Sequence, residues 1–376
     1  MTVRYITVTP VTNFFKPATR AFGDIAIVGD TSDDATGPVN IAIPVTNPDS
    51  VSDPNDPASA KNKKAVDSAD WFQGPLGSAV RTAFGQSPGP SLVWAIRTDD
   101  DVAASFAVVG KLDVQIVMLA DKPLNDANSA AVKLLASHVA TLSGAGGGDG
   151  KERIGVTMLD KTAAASTAAG LVAGLGLSVS RMVVVAHKSD GDAAAAVAGT
   201  IAGYEPHISL ILKPVGLTMA NTFDDSEIET LNSAGVNWLT RPTLIPGTGL
   251  YMGEGYISGS ANVRYIDIIR TLDDVTFRLK AQLIQSIGVL RINRPGIRSL
   301  ESQMASVLEP LKQREVIDNY DIFLPVLVLL DKDPATLSVL EAQELKNIRN
   351  SRTVDSIITV TYAGAIHRLN ITLKFQ

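Results

Sequence analysis

The sequence contains no cysteine. Without cysteine, a chain forms no disulfide, offers no thiolate to zinc or to an iron–sulfur cluster, and has no cysteine nucleophile. Long hydrophobic runs are also missing, because the longest one, Ile322–Leu330, contains Pro325 and is too short to cross a membrane. The N-terminal residues lack the apolar stretch of a secretory signal peptide. We therefore expect a protein that is made and folded in a cytoplasm.

An excess of positive charge is absent too. Thirty-three Lys and Arg residues stand against 39 Asp and Glu residues, for a net charge of −6. This balance argues against a nucleic-acid binder, which needs a basic face to neutralise phosphates. The charge is uneven, since residues 251–376 carry 15 basic and 14 acidic side chains and the remainder is strongly acidic. In a chain of 376 residues this asymmetry favours two domains with different surfaces.

The sequence motifs that suggest cofactor binding are incomplete. The glycine-rich run 144–150 precedes Lys151, but Ala145 replaces the first glycine of a phosphate-binding loop and Glu152 replaces its Ser or Thr. The run also lies between a helix and a strand, whereas phosphates bind where a strand leads into a helix. A flexible loop is the better interpretation.

Metal ligands are equally sparse. The four histidines show no i,i+4 pair and no nearby acidic ligand motif: His138, His187, His207 and His367. Asp99–Asp101 and the pair Asp190 and Asp192 lack the further ligands of a calcium loop, and helix N-caps and solvated turns explain both sets. No G-x-S-x-G nucleophile elbow is present. We expect no catalytic, cofactor or metal site, and no enzyme.

The middle of the chain alternates short apolar runs with helical patterns. Strands are predicted at Ile25–Val28, Asn40–Val45, Leu92–Ile96, Val114–Leu119, Ile154–Leu159, Met182–Ala186 and, more weakly, Leu210–Leu212. Helices are predicted at Ala130–Leu142, Ala163–Leu175, Ala193–Ala202 and Asp225–Ala234. This alternation is typical of an open α/β sheet covered by helices. The polar segment 46–70 is predicted to be a long exposed loop.

The C-terminal third has a different pattern. A long helix is predicted over Tyr265–Leu290, and Pro295 separates it from a second helix at about Ser299–Leu308. Phe323–Leu330 is predicted to be a strand, and Ala335–Ile348 to contain a helix.

Both ends of the sequence read as strands. Alternating positions carry apolar or β-branched side chains at Val3, Tyr5, Thr7 and Thr9 near the start, and at Leu369, Ile371, Leu373 and Phe375 near the end. Ile357–Tyr362 is a further predicted strand. Two interpretations remain open. The last strand belongs to the sheet of its own subunit, or both terminal strands pair with other subunits by strand addition.

Several short motifs in their order along the chain resemble one family. An apolar strand ends at Val28-Gly29, a Gly-Pro-x-Asn motif follows at Gly37–Asn40, a helix ends near Phe84, and a strand ends at Arg97. Near the C-terminus, a long helix opens with Tyr265-Ile-Asp267, and an Ile-x-Asn-Tyr stretch follows at Ile317–Tyr320. This set resembles the contractile-tail sheath proteins of phages and R-type bacteriocins.

The resemblance implies an α/β fold with three parts. Residues 1–20 would form an N-terminal strand arm, and residues 21–250 an outer α/β domain that includes the loop 46–70. Residues 251–376 would form an α+β inner domain that ends in a C-terminal strand arm. A helix of the inner domain would line the inner wall of the sheath and face the tube, with Arg294, Arg298, Glu301, Lys312 and Arg314 as the tube-facing candidates.

The implied function is structural. Subunits would polymerise as stacked rings around an inner tail tube, and contraction would drive that tube through a target cell envelope. The partners would be other copies of the chain, the tube protein, and baseplate and tail-terminator proteins, with no nucleic acid and no membrane insertion. The particle would be a virion tail, a tailocin or an injection particle assembled in the host cytoplasm.

Two other classes remain as alternatives. One is an enzyme or ligand-binding protein built on a doubly wound α/β domain, which would need a chemical site at the strand ends. The other is a different self-assembling tail component, such as a tube protein or a baseplate part. A tube subunit should be far shorter and mostly β, so the length argues against it.

Overall fold

The computed structural model describes residues 21–53, 58, 63–99, 101–144, 150–176, 181–258 and 265–367. The chain divides into two compact units. The described part of the large unit comprises residues 21–274 and 364–367, and the small unit comprises residues 275–363. The predicted terminal arms, with Val3, Tyr5, Thr7 and Thr9 at one end and Leu369, Ile371, Leu373 and Phe375 at the other, lie outside the described residues.

A sheet of nine described strands forms the centre of the large unit. The strands are β1 (Ile25–Gly29), β2 (Ala42–Val45), β3 (Val93–Arg97), β4 (Ile116–Leu119), β5 (Ile154–Met158), β6 (Met182–Ala186), β7 (Pro214–Val215), β8 (Asn237–Thr240) and β9 (Leu250–Met252). Their order is β2-β3-β1-β4-β5-β6-β8-β9-β7, and the six consecutive strands from β3 to β8 are parallel. The antiparallel strands β2, β9 and β7 lie at the two edges. The predicted α/β fold class is confirmed.

Helices cover both faces of this sheet. They are α1 (Pro75–Phe84), α2 (Val102–Val109), α3 (Ser129–Leu142), α4 (Ala168–Gly174), α5 (Ala193–Gly203), α6 (Asp225–Ser233) and α7 (Ile266–Leu283). Ile25 and Ile27 of β1 pack with α1 and α5, whereas Ala26 and Val28 pack with α2 and α3 on the other face. Because both faces are buried, the strand is apolar at every position, as is typical of parallel sheets.

The alanine-rich helix α5 is buried on all sides. Residues 193–202 are all buried, since α5 lies between α1 and strands β4 and β5. A Cβ atom at Gly199 would lie 2.3 Å from the carbonyl oxygen of Ala83 in α1. The two helix backbones are therefore too close for any side chain at residue 199, and the small residues of α5 follow from this contact.

The small unit contains the end of α7 from Val275 onward, and then α8 (Arg294–Gln313), β10 (Ile317–Phe323), α9 (Pro325–Asp331), α10 (Val339–Ser351) and β11 (Ile357–Tyr362). Ile297 and Met304 of α8 pack against Val326 of α9 and Leu345 of α10. Leu308 and Leu311, at the other end of α8, pack with Ile317 of β10. The amphipathic α8 is thus the central element of this unit.

The predicted domain boundary at residue 250 does not coincide with the division between the units. The division falls within α7, after Asp274. Strand β9 spans the expected boundary and pairs with both β7 and β8, so it belongs to the large sheet. Ser258 also forms a bridge to Met182 of β6.

Three predicted elements of the C-terminal third differ from the structure. Phe323–Leu330 is not a strand, because Pro325 starts the helix α9 and the preceding strand ends at Phe323. An apolar run of this length does not distinguish a strand from a buried helix, and proline in a first turn favours the helix. The long helix ends at Leu283 rather than Leu290, since a short 3₁₀ turn and Gly288, with φ of +81°, follow it.

The second helix is longer than predicted. It starts at Arg294 because the Asn293 side chain accepts a hydrogen bond from the Gly296 amide, and Pro295 fits the first turn. Pro310 lies inside it and does not end it.

Two predictions in the large unit are also wrong. No described strand covers Leu210–Leu212, which form a turn before β7. The segment 46–70 is not exposed throughout. Val51 and Lys64 pair through their main chains, and Val51 and Val66 are buried.

The contact between α1 and α5 leads to a stability prediction. We expect Gly199→Ala to lower the free energy of unfolding by about 1–3 kcal/mol, because the new methyl group overlaps the Ala83 carbonyl. Gly170→Ala in α4 is the matched control, since nothing lies within 4 Å of a Cβ there. It should be neutral or stabilising by up to about 1 kcal/mol. Urea denaturation of the unassembled chain measures both, and equal effects of the two variants would contradict the prediction.

Candidate assembly surface

Strands β10 and β11 form a two-stranded antiparallel sheet in the small unit. Phe323 lies opposite Ile357, Ile322 opposite Ile358, and the pairing continues to Ile317 opposite Tyr362 with an irregularity near Ile317. The two strands are not a hairpin, since α9 and α10 lie between them in the sequence. The sheet is therefore assembled from distant segments and is supported by the helices of the unit.

The two faces of this sheet differ. Ile322, Ile358 and Tyr320 face the helices and pack against the apolar clusters of the unit. Phe323 and Ile357 are exposed on the outer face, by 45% and 58%. The outer face of the sheet therefore carries a directly opposed pair of exposed apolar side chains.

The second feature of this sheet is its edges. Within the part of the chain that the structure describes, no third strand pairs with β10 or β11. Edge strands present main-chain N–H and C=O groups that can pair with another strand. An added strand on either edge would therefore stabilise it.

The first three tube-facing candidates of the sequence lie together. Arg294 Nε is 2.5 Å from Asp331 Oδ1 of α9, and Arg298 donates to Asp331 Oδ2 at 2.9 Å. Glu301, one turn further along α8, is 4.0 Å from Arg298. These ion pairs fasten the start of α8 to the end of α9, and both arginine side chains remain more than half exposed.

The other two candidates lie at the opposite end of α8. Lys312 is about 27 Å along the helix axis from Arg294 and donates to Asn319 Oδ1 of β10 at 2.9 Å. Arg314 follows the helix as its C-terminal cap. Nearby, the Tyr320 hydroxyl donates to Glu309 at 3.0 Å, and burial together with this carboxylate raises the pKa of Tyr320. The five candidates thus share one helix but form two separate groups.

Sequence reasoning missed Asp331, which joins Arg294 and Arg298. It lies one residue beyond the segment that was predicted to be a strand. The signal available was Pro325 near the start of the apolar run, because proline is favoured in the first turn of a helix. An apolar segment between α7 and α8 was also missed, in which Ile284, Ile287 and Val289 are largely exposed.

The acidic residues weighed as cation ligands have structural roles. Asp101 caps α2, where its carboxylate accepts hydrogen bonds from the amides of Ala103 and Ala104. Asp192 caps α5 and accepts from the Ala195 amide at 2.8 Å. Asp190 pairs with Lys161 at 2.6 Å on the surface. The N-cap interpretation of the sequence is confirmed for Asp101 and Asp192.

The histidines are scattered through the large unit. His138 stacks on Phe106, and burial, aided by the charge of Arg153, lowers its pKa to about 4. Burial also lowers the pKa of His187. In the described ranges, no three His, Asp or Glu side chains are grouped so that they could hold a metal ion. The residues 145–149 of the glycine-rich run lie outside the described residues. None of the described helices is both long and apolar enough to span a membrane.

No protein-family model and no curated protein matches the sequence. Solved structures do match. A chain of the PVC sheath complex, an extracellular contractile injection system in its contracted state, is 14% identical with a TM-score of 0.65 and covers 100% of this chain and 98% of its own. A chain of the anti-feeding prophage baseplate is 13% identical with a TM-score of 0.62, covering 100% and 99%. The sheath tail protein of Desulfitobacterium hafniense is 12% identical with a TM-score of 0.56, covering 85% and 92%.

These matches define the class of fold. The chain has the fold of contractile sheath proteins, and the likeness includes both units rather than the α/β sheet alone. The resemblance drawn from short sequence motifs is therefore confirmed at the level of the fold. The mixed α/β architecture with its mostly parallel sheet matches the folds of these sheath proteins.

The cap of α5 leads to a prediction on pH. Burial raises the pKa of Asp192 from its ordinary 3.8 to about 6, although amides of Ala195 and Asp121 donate to its carboxylate. Between about pH 4 and pH 6, the folded protein therefore holds a proton on Asp192 that the unfolded chain releases. This contribution to stability is present near pH 4 and is lost as the pH rises through 6. We expect the wild type to gain up to about 3 kcal/mol relative to Asp192→Asn between pH 7 and pH 4.

Denaturant titrations of both proteins across this range measure the difference in their free energies of unfolding. Other titrating groups are common to both proteins and cancel. A difference that does not change with pH would show that the Asp192 carboxyl titrates normally.

Proposed function

We propose that this protein is the structural subunit of a contractile sheath, which polymerises as stacked rings around an inner tube. The observation that carries the proposal is the two-stranded sheet of β10 and β11, which has an exposed apolar face and two edges that no other described strand pairs. The fold, which matches that of sheath proteins along the whole chain, supports it.

Terminal arms would complete this sheet in a neighbouring subunit. The alternating residues Val3, Tyr5, Thr7 and Thr9, and Leu369, Ile371, Leu373 and Phe375, have the pattern of strands with one apolar face. Two open edges offer places for two strands, and each added strand gains main-chain hydrogen bonds. Arms of this kind would link rings into a mesh that stays connected while subunits rotate as rigid bodies.

No catalytic step forms part of the proposal. The free energy for contraction would come from folding and assembly, and the large unit would supply surface contacts between subunits in the contracted state. The PVC structure is of a contracted sheath complex and the anti-feeding prophage structure is of a baseplate. By analogy, the partners here would be other copies of the chain, a tube protein, and baseplate and terminator proteins, in a tail or injection particle assembled in the host cytoplasm.

The rival function, an enzyme or ligand-binding protein on a doubly wound sheet, needs a site at the carboxyl ends of the parallel strands. The carboxylates evaluated there cap helices or form surface ion pairs, as Asp192 and Asp190 do. The geometry favours the structural function.

Assembly is the first test. We expect the purified chain to form hollow cylinders in negative-stain electron microscopy, whereas an enzyme would give separate globular particles. Ile357→Asp should reduce polymer formation at least about tenfold at fixed protein concentration, because it places a charge on the outer face of the sheet.

The matched control is Val339→Asp, at a residue of the same unit that is 86% exposed and lies at the start of α10 rather than on the sheet. Both variants should unfold within a few degrees of the wild type. Equal loss of cylinders in both variants would show a general effect of charge and would count against the sheet as the assembly surface.

Contact with the tube is the second test. We propose that Arg294, Arg298, Glu301, Lys312 and Arg314 face the tube, because repeated polar contacts are individually weak and strong in sum, and can release during contraction. The double variant Arg298→Glu with Lys312→Glu should impair co-assembly with the tube protein and leave sheath-only polymers able to form, which sedimentation with and without tubes would show.

A charge swap separates this role from the internal ion pair. Arg298→Asp combined with Asp331→Arg keeps one ion pair between α8 and α9 and reverses the charge at residue 298, although it removes the pair of Arg294 with Asp331. Loss of tube binding in the swapped variant supports a direct contact. Normal tube binding would place the contact elsewhere, for example on the exposed segment with Ile284 and Ile287.

A further inference from the structure

The last described residue, His367, is held by three side chains of the large unit. Its Nε2 atom lies 2.8 Å from Ser209 Oγ, and its Nδ1 atom lies 3.4 Å from Glu254 Oε2. The ring also meets the ring of Tyr265 edge-on, with centroids 4.5 Å apart. Each nitrogen of the imidazole therefore has a polar partner, and one edge of the ring has an aromatic neighbour.

The two polar partners of His367 are buried. Ser209 and Glu254 are only 9% and 4% exposed, whereas the adjacent Ile366 is 82% exposed. The three partners come from separate parts of the large unit, since Ser209 follows α5, Glu254 follows β9 and Tyr265 precedes α7. The His367 side chain thus packs against buried residues of the large unit, while the neighbouring Ile366 side chain remains in solvent.

The partners suit both protonation states of the imidazole. In the neutral ring, Nδ1–H donates to the Glu254 carboxylate and Nε2 accepts from the Ser209 hydroxyl. In the charged ring, both nitrogens donate, and the Ser209 and Glu254 oxygens accept.

We propose that His367 is the anchor of the C-terminal arm, and that it fixes the point on the large unit from which residues 368–376 extend. The role of that arm rests on the proposed sheath function, but the anchor is a property of the single chain. The segment 363–366 connects β11 with His367, so it is tethered at both ends. Rearrangement of the arm during assembly would then start after residue 367 and leave the preceding segment in place.

Ser209, His367 and Glu254 also have the side-chain types of a catalytic triad, in which a serine nucleophile contacts a histidine base and the histidine contacts a carboxylate. The geometry favours an anchor, because Ser209 is buried and its hydroxyl also lies 3.4 Å from the Ile211 amide that donates to it. Tyr265 covers the imidazole edge. A nucleophile in this position has no open approach for a substrate carbonyl.

Trypsin cleavage of the unassembled chain tests the anchor. Arg368 follows His367 directly, and a protease must draw the residues on both sides of the cleaved bond into its cleft. We expect His367→Phe, which keeps a ring against Tyr265 but removes both hydrogen bonds, to speed cleavage after Arg368 about tenfold. Ser209→Ala removes one hydrogen bond and should give a smaller increase. Cleavage after Lys374 in the same arm is the internal reference.

His207→Phe is the matched control, since His207 lies near Ser209 in sequence and pairs with Glu205 at 3.6 Å. It should leave the ratio of the two cleavage rates unchanged. If His367→Phe loses thermal stability, Ser209→Ala provides the decisive comparison. Wild-type ratios in both variants would overturn the anchor, and so would labelling of Ser209 in the wild type by a fluorophosphonate, which marks an activated serine.

Electron microscopy of the same variants separates this inference from the sheath function. Faster cleavage in the variants supports the anchor whether or not the wild type forms cylinders. Cylinders from the wild type together with unchanged cleavage ratios would support the sheath and refute the anchor.

Discussion

The edges of the β10–β11 sheet, which no other described strand pairs, are the constraint on which the proposed assembly depends. A main-chain amide or carbonyl at a strand edge must find a partner or remain in water, and a two-stranded sheet has as many outward-pointing groups as paired ones. In a monomer this is a liability for aggregation. In the polymer proposed for this chain, such an edge would specify where and in which direction the next chain binds, because strand pairing fixes orientation and register.

One carboxylate pairs with two arginines in the small unit. Asp331 serves Arg294 and Arg298 together, so two cations are held on one face of α8 without crowding each other. Exposed ion pairs contribute little to stability, at most about 1 kcal/mol each. Their value here is positional, since they fix α8 against α9 and set the pattern of charge that a partner would encounter.

Much of the large unit could be predicted from sequence because its elements differ sharply in pattern. Strand β6 and helix α5 were placed almost to the residue, since an all-apolar β-branched run and an alanine run have few other solutions. The prediction failed where pattern and context separate. The apolar run after Phe323 fits either a buried strand or a buried helix. Tertiary packing selected the helix, which Pro325 starts. The anchor of His367 joins residues 158 positions apart, and no local pattern contains such a pairing.

The contact of Gly199 with the Ala83 carbonyl has a mechanical consequence. A helix that touches its neighbour through backbone atoms has no long side chains between the two that could deform under load. Interiors packed to this density have low compressibility and transmit strain. Force applied at one point of the large unit would therefore be carried across it with little internal displacement. Such a unit would move as a rigid body, and elastic deformation would be confined to the connecting segments of the chain.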